Sequence, residues 1–128
     1  MKIIIETIPH DSQKYETVGN YWKDPDGTQH IVVSDMGNDD YAFLVGLHEL
    51  VEAKLCEKRG ITDDAITAFD EAFEAKRGED DESEPGDEPD APYAKEHCTA
   101  TAVERLMCAE LGLSWKEYEA AVNSLSKA

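Results

Sequence analysis

The chain is short of positive charge: 12 Lys and Arg stand against 29 Asp and Glu, a formal net charge of -17 over 128 residues. Contacts to phosphate need Lys and Arg, so this balance argues against direct nucleic-acid binding and against anionic membranes. Long apolar runs are missing as well. The longest near the start, Ile3-Ile4-Ile5, is far too short for a signal-peptide core or a membrane span, and a soluble cytoplasmic protein is the expectation. Cysteine is scarce: Cys56, Cys98 and Cys108 are odd in number and show no C-x-x-C spacing. That argues against a disulfide framework and a zinc ribbon, and leaves reduced, partly buried thiols. The length suits one domain, residues 1–128, with a single core.

What is abundant is acid, and part of it is local. Gly78 to Pro92 holds eight acids, no base, two Gly and three Pro. With no apolar face to bury, residues 78–92 read as a solvated, mobile internal loop that interrupts the domain without dividing it. The loop lacks the D-x-[DN]-x-[DN]-G order of a calcium loop. Acidity on this scale attracts cations or basic proteins, or imitates DNA toward a DNA-binding partner.

The first third reads as strands: Ile3-Ile4-Ile5, then Tyr15 to Trp22, then Gln29 to Val33, rich in β-branched and aromatic residues. Asp24-Pro25-Asp26-Gly27 has the composition of a tight turn and joins the last two as an antiparallel hairpin. Helical patterning starts after Asp39. A first helix spans about Asp40 to Arg59 with Gly60 as its stop, and Thr62 caps a second that ends near Gly78. A third runs from about Ala91 to Leu111 with Gly112 as its stop; a fourth follows Ser114 and Glu117 in capping-box spacing. The expected fold is therefore α+β: a small antiparallel sheet of three strands followed by four helices, the first and third packed together.

The chemistry is expected on those two helices. His48 and Glu52 are four residues apart, about one turn, so they share a side of the first helix. Leu44, Val51 and Leu55 lie on one flank of the pair, Val45 and Cys56 on the other, which centres it in the apolar arc. On the third helix His97 and Glu104 share an arc with Ala100, Met107, Cys108 and Leu111. Ionisable groups seldom occupy such stripes without a function. If the stripes face each other, His48, Glu52, His97 and Glu104 converge as a first shell for a divalent metal, zinc first, with iron or manganese as alternatives. The assignment is His48, Glu52 and His97 or Glu104 as ligands, with Glu49 as general base toward a water whose pKa the metal lowers to ~7. Asp70 and Glu74, one turn apart on the second helix, are candidate ligands for a second metal. The alternative without a metal is a buried histidine hydrogen-bonded to Glu52 or His97.

His48-Glu49-Leu50-Val51-Glu52-Ala53, Ala68-Phe69-Asp70-Glu71-Ala72-Phe73-Glu74, Gly86 to Tyr93 with Glu96-His97, and Glu104-Arg105-Leu106 with Trp115 carry a resemblance. Beyond the first hairpin the chain resembles uncharacterised phage-like small proteins, and its sheet-then-helix order is similar to that of minimal zincin metallopeptidases. His48-Glu49-x-x-Glu52 departs from the zincin motif H-E-x-x-H by a glutamate in place of its second histidine. The resemblance implies a substrate groove lined by Ile31-Val32-Val33 and a peptide or protein substrate. Two functions follow as expectations: a metal-dependent, zincin-like hydrolase, or an acidic interaction protein that mimics DNA toward a basic partner. In the second, the His and Glu cluster, with or without a metal, serves only structure.

Overall fold

Asp24-Pro25-Asp26-Gly27 closes a hairpin, as its composition requires. The Gly27 N–H donates to the Asp24 carbonyl at 2.9 Å, and the Asp26 carboxylate accepts the Thr28 N–H at 2.9 Å. In the computed structural model, which describes residues 1–78, 81 and 83–126, this turn joins β2 (Gly19–Lys23) to β3 (Gln29–Ser34). Before them comes β1 (Ile3–Ile8). After them come α1 (Asp39–Lys58), α2 (Asp63–Lys76), α3 (Ala94–Glu110) and α4 (Trp115–Ser126). Short 3-10 turns occupy His10–Ser12 and Pro85–Asp87.

The fold is α+β, as expected, but the sheet is mixed rather than antiparallel. Its order is β1-β3-β2, with β2 antiparallel and β1 parallel to β3. The reason lies in residues 9–18, which were expected to be strand from Tyr15 onward. They instead carry the chain across β3, so that β2 enters on the far side and β1 is left to pair in parallel. A polar staple fixes this crossing to β3: buried Ser34 Oγ lies 2.8 Å from His10 Nδ1 and accepts from Gln13 Nε2 at 3.0 Å.

The helix ends follow the local chemistry. Asn38 caps α1 by accepting the Tyr41 N–H at 3.1 Å, and Thr62 caps α2 at Ala65 N–H, 3.2 Å. Gly60 and Gly112 sit at φ 73° and 72°, where a side chain would be strained, and close α1 and α3. Ser114 accepts the Glu117 N–H at 3.2 Å ahead of α4.

Ile31 and Val33 of β3 and Leu44 of α1 are wholly buried in one core cluster. Each such side chain stabilises the fold by roughly 1.5–3 kcal/mol. Gly46 lets α1 approach the sheet, since a Cβ there would stand 3.2 Å from Ile5 Cγ2. The other side of α1 packs on α3, so α1 is buried on both sides and presents His48 and Glu52 to a neighbouring helix. Among the described residues no helix is long and apolar enough to cross a membrane.

Candidate metal centre

Between α1 and α3 three atoms form a small triangle. Glu52 Oε2 is 3.1 Å from His48 Nε2 and 3.0 Å from His97 Nδ1, and the two nitrogens are 3.2 Å apart. All three residues are buried. For metal–ligand bonds of ~2.1 Å, adjacent ligand atoms are about 3.0 Å apart in octahedral and about 3.4 Å apart in tetrahedral geometry. The triangle falls in this range, and its donor set of two imidazoles and a carboxylate suits zinc, iron or manganese.

Each corner has polar neighbours on its outer side. His48 Nδ1 lies 2.7 Å from Glu104 Oε1, while Glu104 Oε2 accepts the Tyr118 hydroxyl. Glu52 Oε1 accepts the Tyr21 hydroxyl at 2.9 Å. His97 Nε2 lies 2.9 Å from Glu84 Oε2 and 3.3 Å from Asp87 Oδ1. The rings of His48 and His97 meet edge to face at 4.7 Å between centroids. With Glu104 on Nδ1, a neutral His48 keeps its proton there and turns the Nε2 lone pair into the triangle, the arrangement that outer carboxylates impose on metal-binding histidines. Lone pairs converging in this way repel unless a proton or a metal ion lies among them.

Glu104 was one of four expected ligands, and the structure places it differently from the other three. It meets His48 on the ring nitrogen facing away from the triangle, so its carboxylate orients the His48 ring. Asp70 and Glu74 do not pair: Asp70 accepts the hydroxyls of Tyr15, at 2.9 Å, and Tyr93, while Glu74 binds Arg77 at 2.7 and 2.9 Å. Burial raises the Asp70 carboxyl to about 6, against the lowering effect of its two tyrosine hydrogen bonds.

Electrostatics separate the two glutamates of α1. Burial pushes Glu52 up, but the hydrogen bonds from His48 and His97 outweigh it and hold its carboxyl well below the usual range. Glu49 stands outside the triangle, half-buried against Gly19, where a Cβ would come within 2.7 Å of Glu49 Oε1. Desolvation, and then the charge of Glu52, raise its carboxyl to about 8. Burial also opposes charge on the histidines, yet their carboxylate partners prevail and hold His48 up at about 10, with His97 shifted in the same direction.

A cavity of about 110 Å³ opens at the triangle, bordered by His48, Glu49, Glu52 and His97 and by Gly19 and Tyr21 of β2. The expected groove strand, Ile31-Val32-Val33, is the middle strand with partners on both sides, so the sheet edge beside the cavity is β2.

Several site residues escaped the sequence reading. A buried tyrosine hydroxyl wants a partner, and Tyr21 and Tyr118 each find a glutamate of this cluster. Glu84 and Asp87 belong to the segment read as solvated and mobile. Its residues Pro85–Asp87 form a turn against His97, with Gly86 buried on the ring; Glu79, Asp80 and Glu82 of that segment lie outside the described residues. His10 and His30 serve local structure, His30 by stacking on Trp22 at 5.2 Å and pairing with Asp24 at 2.5 Å. Comparison of the chain with protein-family models, curated proteins and solved structures finds no match.

Proposed function

We propose that this protein is a metal-dependent hydrolase of zincin-like type, acting on a peptide or protein, with one divalent ion, zinc first, held by His48, Glu52 and His97. The observation that carries the reading is the triangle of three buried ligand-type atoms, two ring nitrogens and a carboxylate oxygen, 3.0–3.2 Å apart. A divalent ion supplies Lewis acidity there, lowering the pKa of a water toward ~7. Tyr21 and Glu104 keep two of the ligands oriented. Glu49 is the proton-transfer residue: with its carboxyl raised to about 8, the fraction ionised near neutral pH would take a proton from the attacking water and return it to the leaving group. A peptide is favoured because β2 is a sheet edge bordering the cavity, a place where an extended chain can lie.

An ion that only staples α1 to α3 would have closed coordination. The cavity at the triangle, with Glu49 on its wall, supports chemistry instead. The net charge of -17 favours a second reading, an acidic protein that engages a basic partner while the cluster serves structure.

Elemental analysis of protein purified without nickel, followed by thermal unfolding with and without zinc, tests the metal. Near-stoichiometric metal or a zinc-dependent rise in Tm is expected, abolished in the His48→Ala/Glu52→Ala double variant. No bound metal together with unchanged stability would overturn the reading. Glu49→Gln separates chemistry from stapling: it keeps the ion and loses turnover of a mixed peptide library. Retention of a basic host protein at low salt, undiminished in the double variant, would favour the second reading.

A further inference from the structure

We propose that His97 carries a second divalent cation on its outer nitrogen, with Glu84 and Asp87 as its other protein ligands, so that the ring, its N–H proton released to solvent on metal binding, bridges two ions as an imidazolate. The inference rests on the inner triangle being a metal centre. Its starting point is a mismatch at Nε2. The His97 side chain is only 7 % exposed, Glu84 Oε2 and Asp87 Oδ1 lie 2.9 and 3.3 Å away, and yet Nε2 has no hydrogen-bond partner. The distances suit a hydrogen bond, but the directions do not, because an acceptor must lie near the N–H axis.

Coordination asks for the opposite arrangement. When two ligand atoms each sit ~2.1 Å from one ion at angles of roughly 90–110°, they are about 3.0–3.4 Å apart, and each lies about 35–45° off the other's bond axis. Glu84, Asp87 and His97 each bring a ligand atom within 4.8 Å of the others, and the two carboxylate oxygens stand from Nε2 at the separations that neighbouring ligands of one ion show. Carboxylates that only oriented His97 would lie along the N–H axis, as a hydrogen bond requires.

The turn that supplies them packs on the His97 ring. Asp87 Oδ2 accepts the Glu84 N–H at 3.1 Å, which leaves Oδ1 toward His97. Gly86 lies on the ring so closely that a Cβ would stand 2.6 Å from Nδ1. On the outer side, the Glu84 and Asp87 side chains are 51 % and 55 % exposed and border a cavity of about 270 Å³ with Trp115 and Tyr118. That space leaves room for waters to complete the coordination, and makes the outer ion the more readily exchanged of the two.

Native mass spectrometry of the full chain titrated with zinc decides between one ion and two. The expected result is two zinc ions per chain, the second binding more weakly, and one ion in the Glu84→Gln/Asp87→Asn double variant. His48→Ala removes the inner ion preferentially. One ion in both wild type and the Glu84/Asp87 variant overturns the outer site and leaves the inner centre standing; none in either overturns both. Two ions in both also overturns it. Far-UV circular dichroism checks that the variants are folded, which the half-exposed positions of Glu84 and Asp87 favour.

Discussion

Replacing Glu104 with Gln tests whether this residue orients a ligand or is one. The side chain keeps its shape but loses its charge, at a position 2.7 Å from His48 Nδ1 and in contact with the Tyr118 hydroxyl. As an orienting group, Glu104 raises the basicity of the opposite nitrogen, Nε2, and holds the ring in the tautomer that faces the triangle. Loss of such an outer partner costs about 10–100-fold in metal affinity, or roughly 1.4–2.7 kcal/mol. His48→Ala, which removes a triangle corner, costs more than this range. The assay is zinc affinity by competition with a chromogenic chelator at fixed pH, with near-UV circular dichroism to confirm packing. In the metal-free variant, the His48 ring, now facing an uncharged amide, titrates below the value of about 10 that Glu104 and Glu52 maintain against burial. Unchanged affinity would refute the orienting role. A loss as complete as that of His48→Ala would equally refute it, by making Glu104 a ligand.

The pH dependence of the metal-free protein follows from the same histidines. Burial lowers the His48 pKa, but its carboxylate partners raise it further, to about 10, so its contribution to stability is full below the ordinary value near 6.5 and is lost as pH rises toward 10. Chemical denaturation across that window should show declining stability without zinc, while zinc affinity rises because the ion displaces protons. Gly86→Ala should lower stability by about 1–3 kcal/mol, because its Cβ would collide with the buried His97 ring; an unchanged Tm would show that the turn does not rest on His97. Asp70→Asn should flatten the acid limb of the stability profile. With its carboxyl raised by burial to about 6, Asp70 favours the fold below its ordinary value of 3.8 and loses that contribution, about 3 kcal/mol, as pH climbs through 6. A variant with the same slope as wild type between pH 4 and 6 would contradict this.

The helices were legible because their signals are local. Gly60, Thr62, Gly112 and Ser114 each mark an end through their own backbone or side-chain chemistry, and each works as its type dictates. The meeting of His48, Glu52 and His97 was legible for a related reason: a polar group inside an apolar stripe is visible in one sequence, and two such stripes imply each other. The direction of β1 was not, since a parallel partner depends on where the crossover of residues 9–18 travels. Nor was the place of Glu104. Helical periodicity puts a residue on a face, but cannot tell which of two imidazole nitrogens, about 2 Å apart, it will meet. Glu84 and Asp87 were hidden by composition. A segment so acidic reads as solvated, and the contacts of Glu84, Gly86 and Asp87 with His97 that tie it to the site leave no mark in the composition.

The energetics argue that the cluster is not there to hold the helices together. His48, Glu52, His97 and Glu104 all lie buried where α1 meets α3. Desolvating such groups costs several kcal/mol per ion, and well-packed apolar residues at a comparable interface commonly match or exceed the stability of buried ion pairs. The chain has apolar residues at neighbouring positions, Leu44, Val45, Ala53 and Ala100, so a dry helix interface was within reach of the same backbone. The polar groups are instead supported in depth: Tyr21 stands behind Glu52, Glu104 behind His48, and Tyr118 behind Glu104. A network built only for stability has no need to aim two ring nitrogens and a carboxylate oxygen at one point beside a cavity. In the metal-free protein the protons held by the histidines lie among these atoms, and a cation placed at that point takes their place, so the stability of this protein should respond to metal.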